Sequence, residues 1–220
     1  MKTLTLTRLT LLIHISCFLY FLFIIFSDLI NIESESLLHL QFLSALILGL
    51  PLYFDLSFLL YMLYSSSIFI LSCAIFSFSK GRFLIPAIAV LVSGFIWSGF
   101  LLLNGSIAIG LIQPAAKQPP LHLNHEEIWQ TFNIMLRVAA RGSEMIGAIW
   151  VLLVALLLPS NHVSLKVTKL ITSLIVVISA CAYFERSELF SSLFDSLLIL
   201  WFLCMYFSFP YAYKYWKSNS

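Results

Sequence analysis

Residues 56–103 read LSFLLYMLYSSSIFILSCAIFSFSKGRFLIPAIAVLVSGFIWSGFLLL: two apolar runs of 24 and 21 residues joined by Lys80-Gly81-Arg82. At about 1.5 Å per residue, each run is long enough for a helix to cross a hydrocarbon core about 30 Å thick. The basic turn between them then lies on one membrane face. The same alternation recurs along the chain. Eight of the twelve Lys and Arg residues fall in four breaks, Lys2/Arg8, Lys80/Arg82, Lys166/Lys169 and Lys214/Lys217, which hold no acidic residue. The alternate breaks hold Asp28, Glu33, Glu35, Glu126, Glu127, Glu185 and Glu188. By the positive-inside rule the basic breaks are cytoplasmic, and both termini lie with them.

Composition agrees with this reading. Hydrophobic residues make up 61% of the 220, charged residues 10%, and the mean hydropathy is +1.00. Such a chain lies outside the range of soluble domains, so lipid is its expected solvent. The net charge of +2 belongs to the cytoplasmic breaks. It reports topology and gives no reason to expect nucleic acid. The expected fold class is an all-α integral membrane protein, a single domain over residues 1–220 in the inner (plasma) membrane. It has six transmembrane helices, N-in/C-in, over residues 9–27, 56–79, 83–103, 139–158, 167–184 and 189–211.

Three segments need separate argument. The run from Leu9 to Ser27 follows basic residues as a signal peptide does, but it is too long and lacks a small-x-small cleavage site, so it is expected to remain as the first helix. Residues 37–79 are too long for one crossing, and two crossings would reverse the later charge bias. An interfacial or re-entrant helix over 37–50, broken at Gly49-Leu50-Pro51, resolves this. Asn104-Gly105 is turn chemistry and is expected to end the third helix. An outer loop follows over 104–138, with Pro114, Pro119 and Pro120 and an amphipathic stretch from Ile128 to Ala140. Cys17, Cys73, Cys181 and Cys204 stand singly in apolar runs and read as packing residues.

The fourth helix is short of uncharged residues. Met145 to Leu158 covers only about 21 Å, so the crossing must begin near Ala139 and draw in Arg141 and Glu144. Arg137, Arg141 and Glu144 follow i, i+4, i+7 spacing and share a helix face. Asp55 opens the second helix, and Asp195 lies about two turns inside the sixth. Intramembrane carboxylates face a bundle interior or water. These positions therefore suggest an outward-facing polar site of Glu144, Arg141, Asp195, Asp55 and Arg137. The plainer alternative is that Glu144 pairs with Arg141 for packing while Asp55 caps a helix. His122, His125 and Glu126 could supply metal ligands, although they lack HExxH spacing and also suit a solvated loop. His14 and His39 are isolated. Gly94/Ser98 and Ser143/Gly147 form small-xxx-small pairs suited to close helix approach. Trp97 and Trp150 fit either beside those contacts or facing lipid.

Known intramembrane enzymes fit poorly. Glu126-Glu127 resembles the paired glutamates of prenyl-protein proteases, but Thr131 stands where their motif has Arg. Val92-Ser93-Gly94 resembles part of the rhomboid GxSG site, but Leu91 replaces the first Gly and no later helix carries a general-base His. Asp55 and Asp195 lack the YD and GxGD patterns of aspartyl intramembrane proteases.

The run Glu144-Met145-Ile146-Gly147-Ala148-Ile149-Trp150-Val151-Leu152-Leu153 resembles the E-x-x-G-x-x-W-x-L-L region of a bacterial multi-pass membrane family, the domain of unknown function numbered 4386. That resemblance implies architecture and inner-membrane placement, and no activity. The leading expectation is a polytopic protein that binds or moves a small ligand or ion, with the lipid bilayer as its surroundings. An interaction or signalling subunit, with homo-oligomers formed through the small-xxx-small faces, is the second reading. A metal-dependent membrane hydrolase is the third. No cofactor and no catalytic set is expected.

Overall fold

The computed structural model describes residues 8, 12, 15, 52–117, 125–185 and 188–218. Five helices account for most of them: α1 (Leu52–Ser79), α2 (Leu84–Lys117), α3 (His125–Leu157), α4 (Val163–Glu185) and α5 (Glu188–Lys217). No strand occurs among the described residues. Four helical stretches are long and apolar enough to cross a membrane: Tyr61–Ser79, Leu84–Ser106, Val163–Glu185 and Leu189–Lys217. Helix α3 is not among them; its uncharged part, Met145–Leu157, covers only about 20 Å. The expected first span and the interfacial segment 37–50 lie outside the described residues, apart from Leu12 and Ile15.

The breaks between helices are chemically legible. Pro86 lies in the first turn of α2, where a missing N–H costs little. Ser79 closes α1, its carbonyl accepting from the backbone N–H of Arg82 and Phe83 at 3.1 and 2.9 Å. At the start of α4, the His162 ring accepts from the Ser164 N–H at 3.3 Å, satisfying a helix-end donor. Pro159 follows the end of α3.

One expected break is absent. Asn104-Gly105 does not end α2, which continues to Lys117, and α3 already begins at His125. The outer loop expected over 104–138 is therefore mostly two helical arms, with only 118–124 between them outside the described residues. The amphipathic stretch is continuous with the expected fourth span. An interior Gly costs a helix about 1 kcal/mol, whereas opening a backbone in apolar surroundings costs several kcal/mol per unpaired group. The turn signal loses. Helices α2 and α3 are each about 50 Å long, well beyond a hydrocarbon core of about 30 Å.

Successive helices are antiparallel. Ser65 on α1 meets Ser98 on α2, Trp97 on α2 meets Ser143 on α3, and Trp201 on α5 meets Thr172 on α4. Helices α1, α3 and α5 thus run one way, and α2 and α4 the other. Phe78 of α1 packs edge-on against Phe209 and Tyr213 of α5, so the ends of the series meet. All described basic breaks gather at that end of the bundle. Arg82 lies 4.4 Å from the Tyr215 ring centre, His162 stacks on Tyr211 at 3.8 Å, and Arg8 lies 5.8 Å from the Tyr206 ring. Glu185 closes α4 at the opposite end.

The outside of the bundle is apolar. Ile85 is 80% exposed and Phe184 79%. In water such surface would carry a cost of roughly 25 cal/mol per Å². In hydrocarbon it carries none, which fits lipid as the solvent.

The centre is built on tryptophan. Trp97, Trp150, Trp201 and Trp216 are fully buried. Trp97 and Trp150 ring centres lie 5.4 Å apart, and Trp150 and Trp201 5.7 Å. Each indole N–H crosses to a neighbouring helix. Trp97 donates to Ser143 Oγ at 3.1 Å, Trp150 to Ser72 Oγ at 2.9 Å, Trp201 to Thr172 Oγ1 at 2.8 Å and Trp216 to the Leu157 carbonyl at 2.9 Å. The last bond also satisfies a carbonyl in the final turn of α3.

Glycine makes room for these rings. A Cβ on Gly147 would lie 2.8 Å from Trp97 Cε2, and one on Gly94 would lie 2.8 Å from Trp150 Nε1 and closer still to the Ser72 hydroxyl. The pattern is reciprocal. Gly94-Phe95-Ile96-Trp97 on α2 faces Gly147-Ala148-Ile149-Trp150 on antiparallel α3, so each Trp covers the other segment's Gly. The small-xxx-small faces are therefore occupied by this chain's own helices. Ser65 and Ser98 complete the seam, each hydroxyl donating to the other's carbonyl at 2.9 and 3.1 Å.

Candidate functional site

Near the acidic end, the bundle interior changes character. Glu144 on α3 stands six residues before Trp150, and Asp195 on α5 six before Trp201. Since Trp150 and Trp201 pack together and α3 and α5 run parallel, the two carboxylates fall at one level, about 9 Å from the tryptophans. Their charges act on each other. Ser191 on α5 and Arg141, one turn earlier on α3, stand near the Glu144 carboxylate. Ser191 and Asp195 are four apart on α5 and share a face. From α4, Ser179 donates to the Glu144 backbone carbonyl at 3.4 Å. Arg141, Glu144, Ser191 and Asp195 are all half-buried.

Sequence spacing did not identify Ser179 or Ser191 as members of this polar region. Asn104 is buried on α2, further toward the acidic end, and among the described residues its Oδ1 has no hydrogen-bond partner. A buried acceptor without a donor costs about 1–3 kcal/mol. The matching six-residue offsets from Glu144 and Asp195 to a Trp were a readable signal for their common level. The Ser and Asn positions had no comparable signal.

The other suggested residues are not brought to this place. Asp55 lies on the α1 backbone seventeen residues before Ser72, which is level with Trp150. Helix register thus puts it about 16 Å further toward the acidic end than Glu144. The side chains of Asp55 and Arg137 lie outside the described residues. So do His122 and the side chains of His125 and Glu126, whose backbones form the first turn of α3. Among the described residues no group of three potential metal ligands comes together. Cys73, Cys181 and Cys204 are free, half-buried thiols.

A separate cleft of about 240 Å³ opens between α3 and α4. Met145, Ile149, Leu152, Val176 and Phe184 line it, with Ser179 at its inner wall. It carries no charged side chain and suits hydrocarbon better than a polar ligand.

Fold and interior together define a helical membrane protein with several spans and a small polar cluster inside its bundle. No protein family, curated protein or solved structure matches this chain.

Proposed function

We propose that this protein binds a small cation or protonated ligand at Glu144 and Asp195, from the outer side of the inner membrane. The observation that carries the reading is two carboxylates from two parallel helices at one level inside a bundle of membrane-crossing length. Intramembrane carboxylates are costly unless paired or hydrated, and they commonly mark ion or substrate paths. Two of them against one guanidinium, Arg141, leave one negative charge unmatched in the described cluster. Two neighbouring carboxylates repel until a cation or proton sits between them. Ser191 and Arg141 orient Glu144, and Asn104 Oδ1 offers a further acceptor toward the outer end.

The proposal includes six spans with both termini cytoplasmic. Chain direction supports it: α2 ends at the acidic end and α4 begins at the basic end, so α3 must traverse the bundle between them. The basic breaks gathered at one end support a cytoplasmic placement of that end. Likeness of Glu144 to Leu153 to the bacterial family numbered 4386 is part of the same proposal.

A thermal-stability screen of purified wild type and Glu144→Gln against monovalent cations, amines and organic acids tests it. Binding to the folded state raises apparent stability by mass action, about 2.7 kcal/mol at a hundred times Kd. The expected result is a shift with cations or amines that Glu144→Gln abolishes. Equal responses of the two proteins to every compound would remove the assignment.

A further inference from the structure

At the basic end, the C-terminal turns of α1 and α5 enclose a second cleft of about 260 Å³. Its lining is Ser77, Phe78, Lys80, Gly81, Tyr213 and Lys217. Phe78 and Tyr213 form a fixed wall, edge-on with ring centres 5.0 Å apart. Lys80 and Lys217 are both exposed at its rim. Arg82 is held beside it on the Tyr215 ring, 4.4 Å from the centroid, and Lys214 shares the last turn of α5 with Lys217.

Among the described side chains, charge at this cleft is one-sided. Two helix C-termini contribute about half a negative charge each, and the N-terminus of α2 about half a positive one. Four cationic side chains exceed that several-fold. The described carboxylates Glu144, Glu185 and Asp195 all lie toward the other end of the bundle. Tyr213 and Tyr215, both partly exposed, put this level at a membrane interface, where headgroups are found.

We infer that this cleft binds the phosphate group of an anionic membrane lipid. Lys80 and Lys217 contact the phosphate from two sides, the Tyr213 hydroxyl and Ser77 supply neutral hydrogen bonds, and the lipid's chains run down the exposed apolar flank of α1. The volume holds a glycerophosphate headgroup but not a whole lipid. Lysine pairs the anion as a point charge, so the site asks for charge and size more than for a particular headgroup. This site is independent of Glu144 and Asp195.

The test uses the full chain in phosphatidylcholine nanodiscs, with phosphatidylglycerol added in steps, and reads lipid retention by native mass spectrometry. A direct ammonium–phosphate contact is a charge-assisted hydrogen bond and contributes about five-fold or more in affinity, whereas a lysine that only raises the surface potential acts on bound and bulk lipid alike. Lys80→Gln with Lys217→Gln should therefore weaken phosphatidylglycerol retention about 25-fold, while Lys80→Arg with Lys217→Arg keeps most of it. Lys166→Gln with Lys169→Gln, an equal charge loss at the same end, should change it far less. Equal weakening by both Gln pairs would overturn the site in favour of general surface charge. Inorganic phosphate displacing phosphatidylglycerol at equal concentration would overturn the lipid assignment in favour of a soluble anion. No preference for phosphatidylglycerol over phosphatidylcholine in wild type would overturn it altogether.

Discussion

The seam joining α1, α2 and α3 and the facing surfaces of α3 and α5 near the acidic end are both polar strips inside apolar helices. In the seam every group has a partner: Trp97 has Ser143, Trp150 has Ser72, and Ser65 and Ser98 clasp each other's backbone. In the second region Glu144 and Asp195 repel, and on the α2 arm beyond the seam Asn104 Oδ1 has no donor among the described residues. Polar groups fully matched within the chain hold helices together, with interhelical bonds in membranes averaging about 0.6 kcal/mol. Polar groups left in surplus lower stability and need a reason outside the fold. That contrast separates the structural polar residues from the candidate functional ones.

The contrast makes predictions of opposite sign. Trp150→Ala should be the most damaging change, losing about 3–5 kcal/mol, because it empties the centre and removes the donor to Ser72 Oγ, whose own O–H stays on the Ile68 carbonyl; denaturant titration in detergent reads it, and a loss below about 1 kcal/mol would mean that the tryptophan cluster is not the core. Gly94→Ala should lose about 1–3 kcal/mol, since the added methyl meets both Trp150 and Ser72. Adding the same methyl at Gly99, where nothing lies within 4 Å, gives the control. A helix-propensity gain of up to about 1 kcal/mol is expected there.

At the second region the sign reverses. Asp195→Asn removes the repulsion with Glu144 and should raise stability by about 1 kcal/mol while abolishing any ligand response, the usual trade between a site and its scaffold. If that variant lost stability like the seam variants, the carboxylate pair would be structural. Asn104→Leu should have the smallest effect, from neutral to a gain of about 1 kcal/mol, because it deletes an unmatched acceptor. A clear loss would show that Asn104 has a partner the seam comparison omits.

Legibility followed the range of the interactions. Apolar run length and charge alternation are local, so the helices expected over 167–184 and 189–211, found as Val163–Glu185 and Glu188–Lys217, and the basic turn at Lys80-Arg82 could be read directly. Pro86 could be placed in a first helical turn for the same reason. Asn104-Gly105 misled because turn propensity, worth about 1 kcal/mol, was weighed without the cost of breaking a helix in apolar surroundings. Glu144 and Asp195 could be named from the rarity of charge inside apolar runs. Asp55 was grouped with them because a sequence gives approximate depth but not the register between helices.

The assembly reading met the same limit. Gly94/Ser98 and Ser143/Gly147 announce close helix packing, yet sequence does not say whether the partner helix belongs to the same chain. Here it does, and Trp97 and Trp150 fill both faces.

By itself, then, the sequence determined the solvent, the helical class and the separation of basic from acidic breaks, because hydropathy and charge act residue by residue. Only the tertiary structure decided which polar residues have partners. Partnership depends on the azimuth and axial shift of each helix against its neighbours, and those are set by how the tryptophan rings fit the glycine gaps.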